Sequence, residues 1–292
     1  MSAAESTHPR SVVITGASTG IGAACALALA RLNFRVFAGV RNRADGETLQ
    51  AQTGGKLTPL QLDVTNAHDI ATSLQTIGRE VGEAGLAGLV NNAGIGVVGP
   101  LEIVSLDELR KQFEINVFGV IAVTQAFLPL LRKARGRVVN MSSIVGRAAI
   151  PYMGPYAASK HALEALSDAL RIELQHTGVR VSVIEPGAIA TPIWHKTRND
   201  VNGSESTWND ESKALYIDGM ERVKHIAAKS EKDAAPPSLV ADAVIHALTS
   251  PNPKSRYLVG RDAKLRALVT ALLPDNLQDR LLTKVLKLPA KK

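Results

Sequence analysis

The chain has 292 residues with 45% hydrophobic content, enough to bury a sizeable core in one large α/β domain or in one domain with appendages. Its formal net charge of +7 comes from scattered basic residues, with a few more in the C-terminal tail; without a basic stripe interleaved with aromatics, this argues against a nucleic-acid partner. The single cysteine, Cys25, excludes an internal disulfide and suits a reducing compartment.

In chain order, residues 1–10 form a flexible N-terminus without the apolar core of a secretory signal. Short β-branched runs then alternate with longer helical patterns. The pattern predicts strands over residues 11–15, 35–39, 57–62, 88–91, 136–140 and 180–185, with a seventh over 255–259. Between them lie predicted helices over 21–32, 69–82, 106–131 and 156–176. Such alternation, with right-handed crossovers, predicts a doubly wound parallel α/β sheet of about seven strands in a single domain, residues 11–262. The most apolar stretch, residues 117–131, is interrupted by Thr124, Gln125 and Pro129 and is too short to span a bilayer, so the expected location is cytoplasmic. Residues 189–229 read as polar and irregular, with a turn signal at Asn202-Gly203. They follow a strand's carboxyl end, which favours a substrate lid over a plain surface loop. Residues 263–292 form a helical extension with Leu and Val at mixed spacings, a break at Pro274, and Lys284, Lys287, Lys291 and Lys292 near the end. Docking on its own domain is favoured over contact with a membrane surface or a subunit.

The first strand runs into Thr15-Gly16-Ala17-Ser18-Thr19-Gly20-Ile21-Gly22, and a helix opens at once. Glycines serve where backbone must turn tightly, approach a pyrophosphate and pack a helix on a strand, and the free N–H groups at a helix start attract the anion. A glycine turn alone would also serve as an ordinary strand-to-helix connection. The Gly-x-x-x-Gly-x-Gly spacing in this context is more distinctive, and it resembles the short-chain dehydrogenase/reductase family, whose fold is Rossmann-type. The resemblance implies nicotinamide-cofactor contacts from Gly16, Ser18, Thr19, Gly20, Ile21 and Gly22. Asp63-Val64 resembles the pair that the family places beside the adenine, although Asp63 would also serve as a turn or cap residue. Asn91-Asn92-Ala93-Gly94 resembles the family's fourth-strand motif, which implies that the backbone of Asn92, Ala93 and Gly94 meets the cofactor. The Pro186-Gly187-Ala188-Ile189-Ala190-Thr191 run resembles the family's Pro-Gly segment, implying nicotinamide contacts from Pro186, Gly187, Ile189 and Thr191. At the end of the second strand, Val40 stands where an NAD enzyme would place a carboxylate for the ribose hydroxyl. Arg41 follows, able to pair with a 2′-phosphate, with Arg43 as a second cation; NADP(H) is expected over NAD(H) unless Arg41 points into solvent.

For the chemistry, Tyr156 and Lys160 are four apart and share a helix face, so an ammonium can lie near the phenol and lower its pKa from about 10. The spacing alone is common in amphipathic helices; the family resemblance makes it meaningful. That resemblance implies that Tyr156 is the acid/base and Lys160 tunes it and binds the nicotinamide ribose. Ser143, rather than Ser142, would hold the substrate oxygen, and Asn116 would bind a proton-relay water. Asn116 could otherwise be a helix-interior residue bonded back to its own backbone. No metal is called for. The run from Arg256 to Ala263 resembles the hydroxysteroid and retinol dehydrogenase branch. With Ile193, Trp194, Trp208 and Tyr216 on one side and Ile150, Pro151, Tyr152 and Met153 on the other, it implies an apolar cleft for a steroid-, retinoid- or fatty-type small-molecule substrate, unless these side chains merely pack beneath the lid. The family often assembles through the helices carrying Asn116 and Tyr156, implying a homodimer or homotetramer. A catalytically silent NADP(H)-binding regulator, an NAD-linked relative and an epimerase-like relative are the alternatives.

Overall fold

The computed structural model describes residues 10–192 and 208–286. Seven parallel strands, β1 Ser11–Ile14, β2 Arg35–Val40, β3 Leu57–Gln61, β4 Gly88–Asn91, β5 Arg137–Met141, β6 Arg180–Pro186 and β7 Arg256–Val259, pair in the order β3-β2-β1-β4-β5-β6-β7. Sequence order reverses between β1 and β4. In sheets of this kind the crevice beyond the strands' carboxyl ends opens at that point.

The sheet is buried on both faces because successive side chains along a strand point to opposite sides. Val12 and Ile14 of β1 pack with Cys25, Ala26 and Leu29 of α1 (Gly20–Arg31) and with Val240, Val244 and Leu248 of a helix at Pro237–Thr249. Val13, between them, faces the other layer, with Ile70 and Ile77 of α3 (Ala67–Val81) and Val123, Phe127 and Leu131 of α5 (Gly119–Ala134).

The intervening helices are α2 (Arg43–Ala51), α4 (Leu106–Phe113) and α6 (Gly154–Glu173), and after β6 come α7 (Asp210–Lys232), α8 (Pro237–Thr249), α9 (Arg261–Leu272) and α10 (Asp275–Leu286). Three features depart from the sequence pattern. Helix α2 went unseen because only Gly46 and Leu49 are buried; its start is marked by Asn42, whose side chain accepts from the Ala44 N–H. The continuous helix expected over residues 106–131 is interrupted by a π turn at Glu114–Phe118 before α5 continues to Ala134. Leu106–Ala134 is, by length and composition, long and apolar enough to cross a bilayer, contrary to the reading of 117–131 as too short, yet Val120, Val123, Phe127 and Leu131 are spent on the core.

The third departure corrects the reading of residues 189–229 as irregular: residues 210–229 lie within α7, a 23-residue helix. Its helical signals are local rather than periodic. Asn209 accepts from the Ser212 N–H, Asp210 and Glu211 sit in the first turn, Lys229 and Lys232 sit in the last, and only Gly219 and Met220 are buried. The turn signal at Asn202-Gly203, the side chains of Ile193 and Trp194, residues 1–9 of the N-terminal segment, and Lys287, Lys291 and Lys292 lie outside the described residues. The described part of the C-terminal extension folds back on its own domain. Leu286 is buried and its carbonyl accepts from Arg222 of α7.

Candidate active site

A cleft of about 450 Å³ opens at the carboxyl ends of the strands, and segments from one end of the chain to the other line it. At its β1 end the backbone turns through Gly16 and Gly20, both at positive φ (62° and 58°), which only glycine adopts without strain. A Cβ on Gly22 would collide with the Gly16 carbonyl oxygen and come within 2.5 Å of Asn92 Nδ2. Asn92 closes the turn from β4: its Nδ2 donates to the carbonyls of Thr15 (3.1 Å) and Gly16 (2.9 Å), while its N–H and that of Ala93 donate to Thr15 Oγ1, both at 3.0 Å. Thr19 starts α1 without a side-chain cap, so the first N–H groups of the helix face the cleft with their donors available to an anion. Ser18, Thr19, Gly20 and Ile21 line this end, together with Ala93 and Gly94. Gly22 lies behind them as a packing glycine.

Along the β2 and β3 side the cleft is lined by Arg41, Asp63 and Val64. Arg41 is exposed, makes no ion pair among the described residues and keeps its backbone in place by accepting from Gln61 Nε2 at 2.9 Å. Arg43, the expected second cation, does not line the cleft: it starts α2 and pairs with Glu47 at 3.0 Å on an exposed face. Asp63 also does the local work of a turn residue, its Oδ1 accepting from the N–H and hydroxyl of Thr65.

The four residues picked for the chemistry come together at the β4–β5–β6 end. Ser143 leaves β5 as the cap of a short 3-10 turn, its hydroxyl 3.4 Å from the Pro186 carbonyl; Ser142 beside it is buried with a hydroxyl that has no partner among the described residues. Tyr156 is in the first turn of α6. Lys160, one turn on, donates from Nζ to the Met141 carbonyl at 2.7 Å and lies 5.7 Å from the Tyr156 ring centre. Asn116 sits in the π turn, and its side chain bonds the neighbouring chain rather than its own helix: Oδ1 accepts from the Ile95 N–H and Nδ2 donates to the Ile95 carbonyl, both at 2.9 Å. A Cβ on Gly94 would meet Asn116 Oδ1 at 3.2 Å and Lys160 Nζ at 3.8 Å, which measures how tightly these groups converge.

Charge tuning differs from the expectation. Burial raises the Tyr156 phenol above its ordinary range, and a hydrogen bond with Ser143 only partly offsets this. Burial likewise lowers the Lys160 ammonium to about 8, with Glu164 pulling the other way. In the protein alone, therefore, desolvation and not the ammonium sets the phenol, which stays protonated at neutral pH.

Several residues that line or brace the cleft had no assigned part in the sequence reading. Asp262, at the start of α9, accepts from the Ala188 N–H at 2.7 Å and so pins the Pro186–Ile189 segment across 74 positions of sequence. Gln112 holds the loop after Gly94 by accepting from Val97 N–H (2.6 Å) and donating to the Ile95 carbonyl (2.8 Å). One face of α7, carrying Met220, Val223, Lys224 and Ala227 at helical spacing, lines the cleft together with Ile150 and Met153. Pro186, Gly187, Ile189 and Thr191 line it too. Trp208 and Tyr216 do not: Tyr216 of α7 packs in a separate cluster with Trp208, Tyr152 and Met220, its hydroxyl bonding Glu102.

The family model for short chain dehydrogenases matches residues 10–202. The chain belongs to the short-chain dehydrogenase/reductase family. Within the family it falls in the hydroxysteroid and retinol dehydrogenase-like branch. It is 37% identical to human 17-beta-hydroxysteroid dehydrogenase type 6 (96% of this chain, 89% of the relative) and 39% identical to mouse retinol dehydrogenase 16 (93% and 87%). Among solved structures it is similar to a short-chain dehydrogenase from Streptomyces avermitilis, with TM-score 0.77, 27% identity and coverage of 94% and 96%. It is also similar to one from Burkholderia cenocepacia J2315 in complex with NADP, with TM-score 0.71, 27% identity and coverage of 94% and 98%. A short-chain dehydrogenase of this fold binds a nicotinamide cofactor, and the glycine cradle and uncapped α1 start fit a pyrophosphate in this chain.

Proposed function

We propose that this short-chain dehydrogenase is an NADP(H)-dependent oxidoreductase interconverting a carbonyl and an alcohol on a lipophilic substrate. The observation that carries the reading is a single cleft with a phosphate cradle and Arg41 at one end and Tyr156, Ser143 and Lys160 at the other. When bound, the nicotinamide supplies or takes up the hydride. The chain's residues do the rest. The Ser143 hydroxyl orients the substrate oxygen. The Tyr156 O–H, held protonated by burial, donates its proton to that oxygen during reduction and recovers it during oxidation. Lys160 supplies positive charge near the phenol and the ribose, and Asn116 holds the Ile95 backbone beside it and a relay water within reach. Arg41 pairs with the 2′-phosphate. The walls contributed by Met220, Val223, Ile150 and Met153 favour an apolar substrate body, in keeping with the hydroxysteroid and retinol dehydrogenases named above.

Within the expected lid, residues 189–229, the described α7 residues Met220, Val223 and Ala227 line the cleft and would cover the substrate. Exposed Phe118, Leu166 and Ile172 on the helices carrying Asn116 and Tyr156 support assembly into a homodimer or homotetramer, checked by light scattering. The test of function is oxidation of NADPH and NADH with a panel of steroid, retinoid and aliphatic carbonyls. NADPH-dependent turnover of lipophilic members is expected; preference for NADH, or turnover confined to small polar carbonyls, would overturn the corresponding half of the reading.

A further inference from the structure

The reaction proposed above leaves Arg266 without a task; Lys224, the other unassigned cation of the cleft, pairs with Glu221 at 2.9 Å. Arg266 of α9 lines the cleft half-buried, yet it makes no hydrogen bond or ion pair among the described residues. Asp262, one turn earlier, is occupied with the Ala188 N–H. Burial lowers the Arg266 guanidinium below its ordinary range and the Asp262 charge opposes this; an arginine so placed stays charged at neutral pH.

Its position separates it from the cofactor's phosphates. Ala263 and Ala267, which flank Arg266 on α9, pack with Ile144, Val145, Ile150 and Tyr156, so the helix lies against the catalytic end. Helix α9 follows β7 at one edge of the sheet, whereas Arg41 follows β2 near the other. The same cleft is lined by the apolar side chains of Met220, Val223 and Ala227 of α7.

We propose that Arg266 anchors an oxyanion, a carboxylate or sulfate carried by the substrate away from its reacting carbon, so that this enzyme prefers an acidic lipophilic substrate to its neutral counterpart. The proposal rests on the carbonyl–alcohol reading. A half-desolvated guanidinium that meets water on one side only gains a charge-assisted, bidentate partner when such a substrate binds.

The experiment compares kcat/KM for a steroid ketone bearing a carboxylate with that for its methyl ester, in wild type, Arg266→Met and Arg266→Lys. Alongside it, calorimetry measures binding of a long-chain carboxylate to the NADPH-loaded protein. The wild type is expected to favour the acid about 10- to 100-fold, mainly through KM; Arg266→Met removes the preference and the calorimetric signal, and Arg266→Lys keeps part of both. Equal preference in wild type and Arg266→Met, or weaker NADPH binding in Arg266→Met with the acid preference intact, overturns the proposal. If the wild type reduces neither ketone, the carbonyl–alcohol reading fails, while carboxylate binding lost in Arg266→Met still supports the anion site.

Discussion

Lys160 carries an electrostatic cost at the catalytic end. Its ammonium is buried, donates to the Met141 carbonyl and titrates near 8 instead of 10.5. The unfolded chain keeps that proton up to about pH 10.5 and the folded chain releases it near 8, so between these values the unfolded state binds more protons and stability rises with pH. Urea unfolding across this window should show the wild type gaining on the order of 3 kcal/mol relative to Lys160→Met; parallel pH profiles of the two proteins would show that no buried ammonium titrates there. At the other end, Arg41→Ala should weaken NADPH about 10- to 100-fold with little effect on NADH, read by fluorescence titration. Unchanged NADPH affinity would mean that Arg41 faces solvent in the complex as well. That Ser143, Tyr156, Lys160 and Arg41 line one cleft could be anticipated from the sequence, because their types and spacings resemble the family's pattern. What was not legible was the direction of the Tyr156 shift, which depends on how much apolar structure covers the phenol and not on the lysine four positions away.

At the scale of elements, the turn between β1 and α1 is built on close backbone approach, and Gly22 is its tightest point. Gly22→Ala should destabilise the fold by about 1–3 kcal/mol through displacement of the Gly16 carbonyl and Asn92. The same displacement should loosen NADPH binding at least tenfold, measured by denaturation and titration on one preparation; a variant with wild-type stability and affinity would contradict the packing described. The strands could be read from the sequence because β-branched runs buried on both faces leave a plain signal. Helices α2 and α7 could not, since they bury two residues each and are specified by Asn42, Asn209 and end charges instead of an apolar period. The π turn at Asn116 has no compositional signature; it shows itself only through the Ile95 bonds that its side chain makes.

For the whole molecule, the parallel order carries segments far apart in sequence to one cleft. The tie between Asp262 and Ala188 joins the end of β7 to the end of β6. Asp262→Ala leaves that N–H without its partner and frees the Pro186–Ile189 segment, so kcat/KM should fall about tenfold, with about 1–3 kcal/mol lost from stability. Asp262 lies within the Arg256–Ala263 run that marked the branch resemblance, but a contact across 74 positions has no local signal, and neither has the entry of Arg266 into the cleft. The central claim is that Tyr156 is the proton donor of a nicotinamide-dependent carbonyl reduction. Its most direct test is single-turnover absorbance of bound NADPH with a lipophilic ketone, wild type beside Tyr156→Phe. The account predicts that the variant binds NADPH as the wild type does and loses turnover by about 10²- to 10⁴-fold; NADPH oxidation at the wild-type rate in Tyr156→Phe would contradict it.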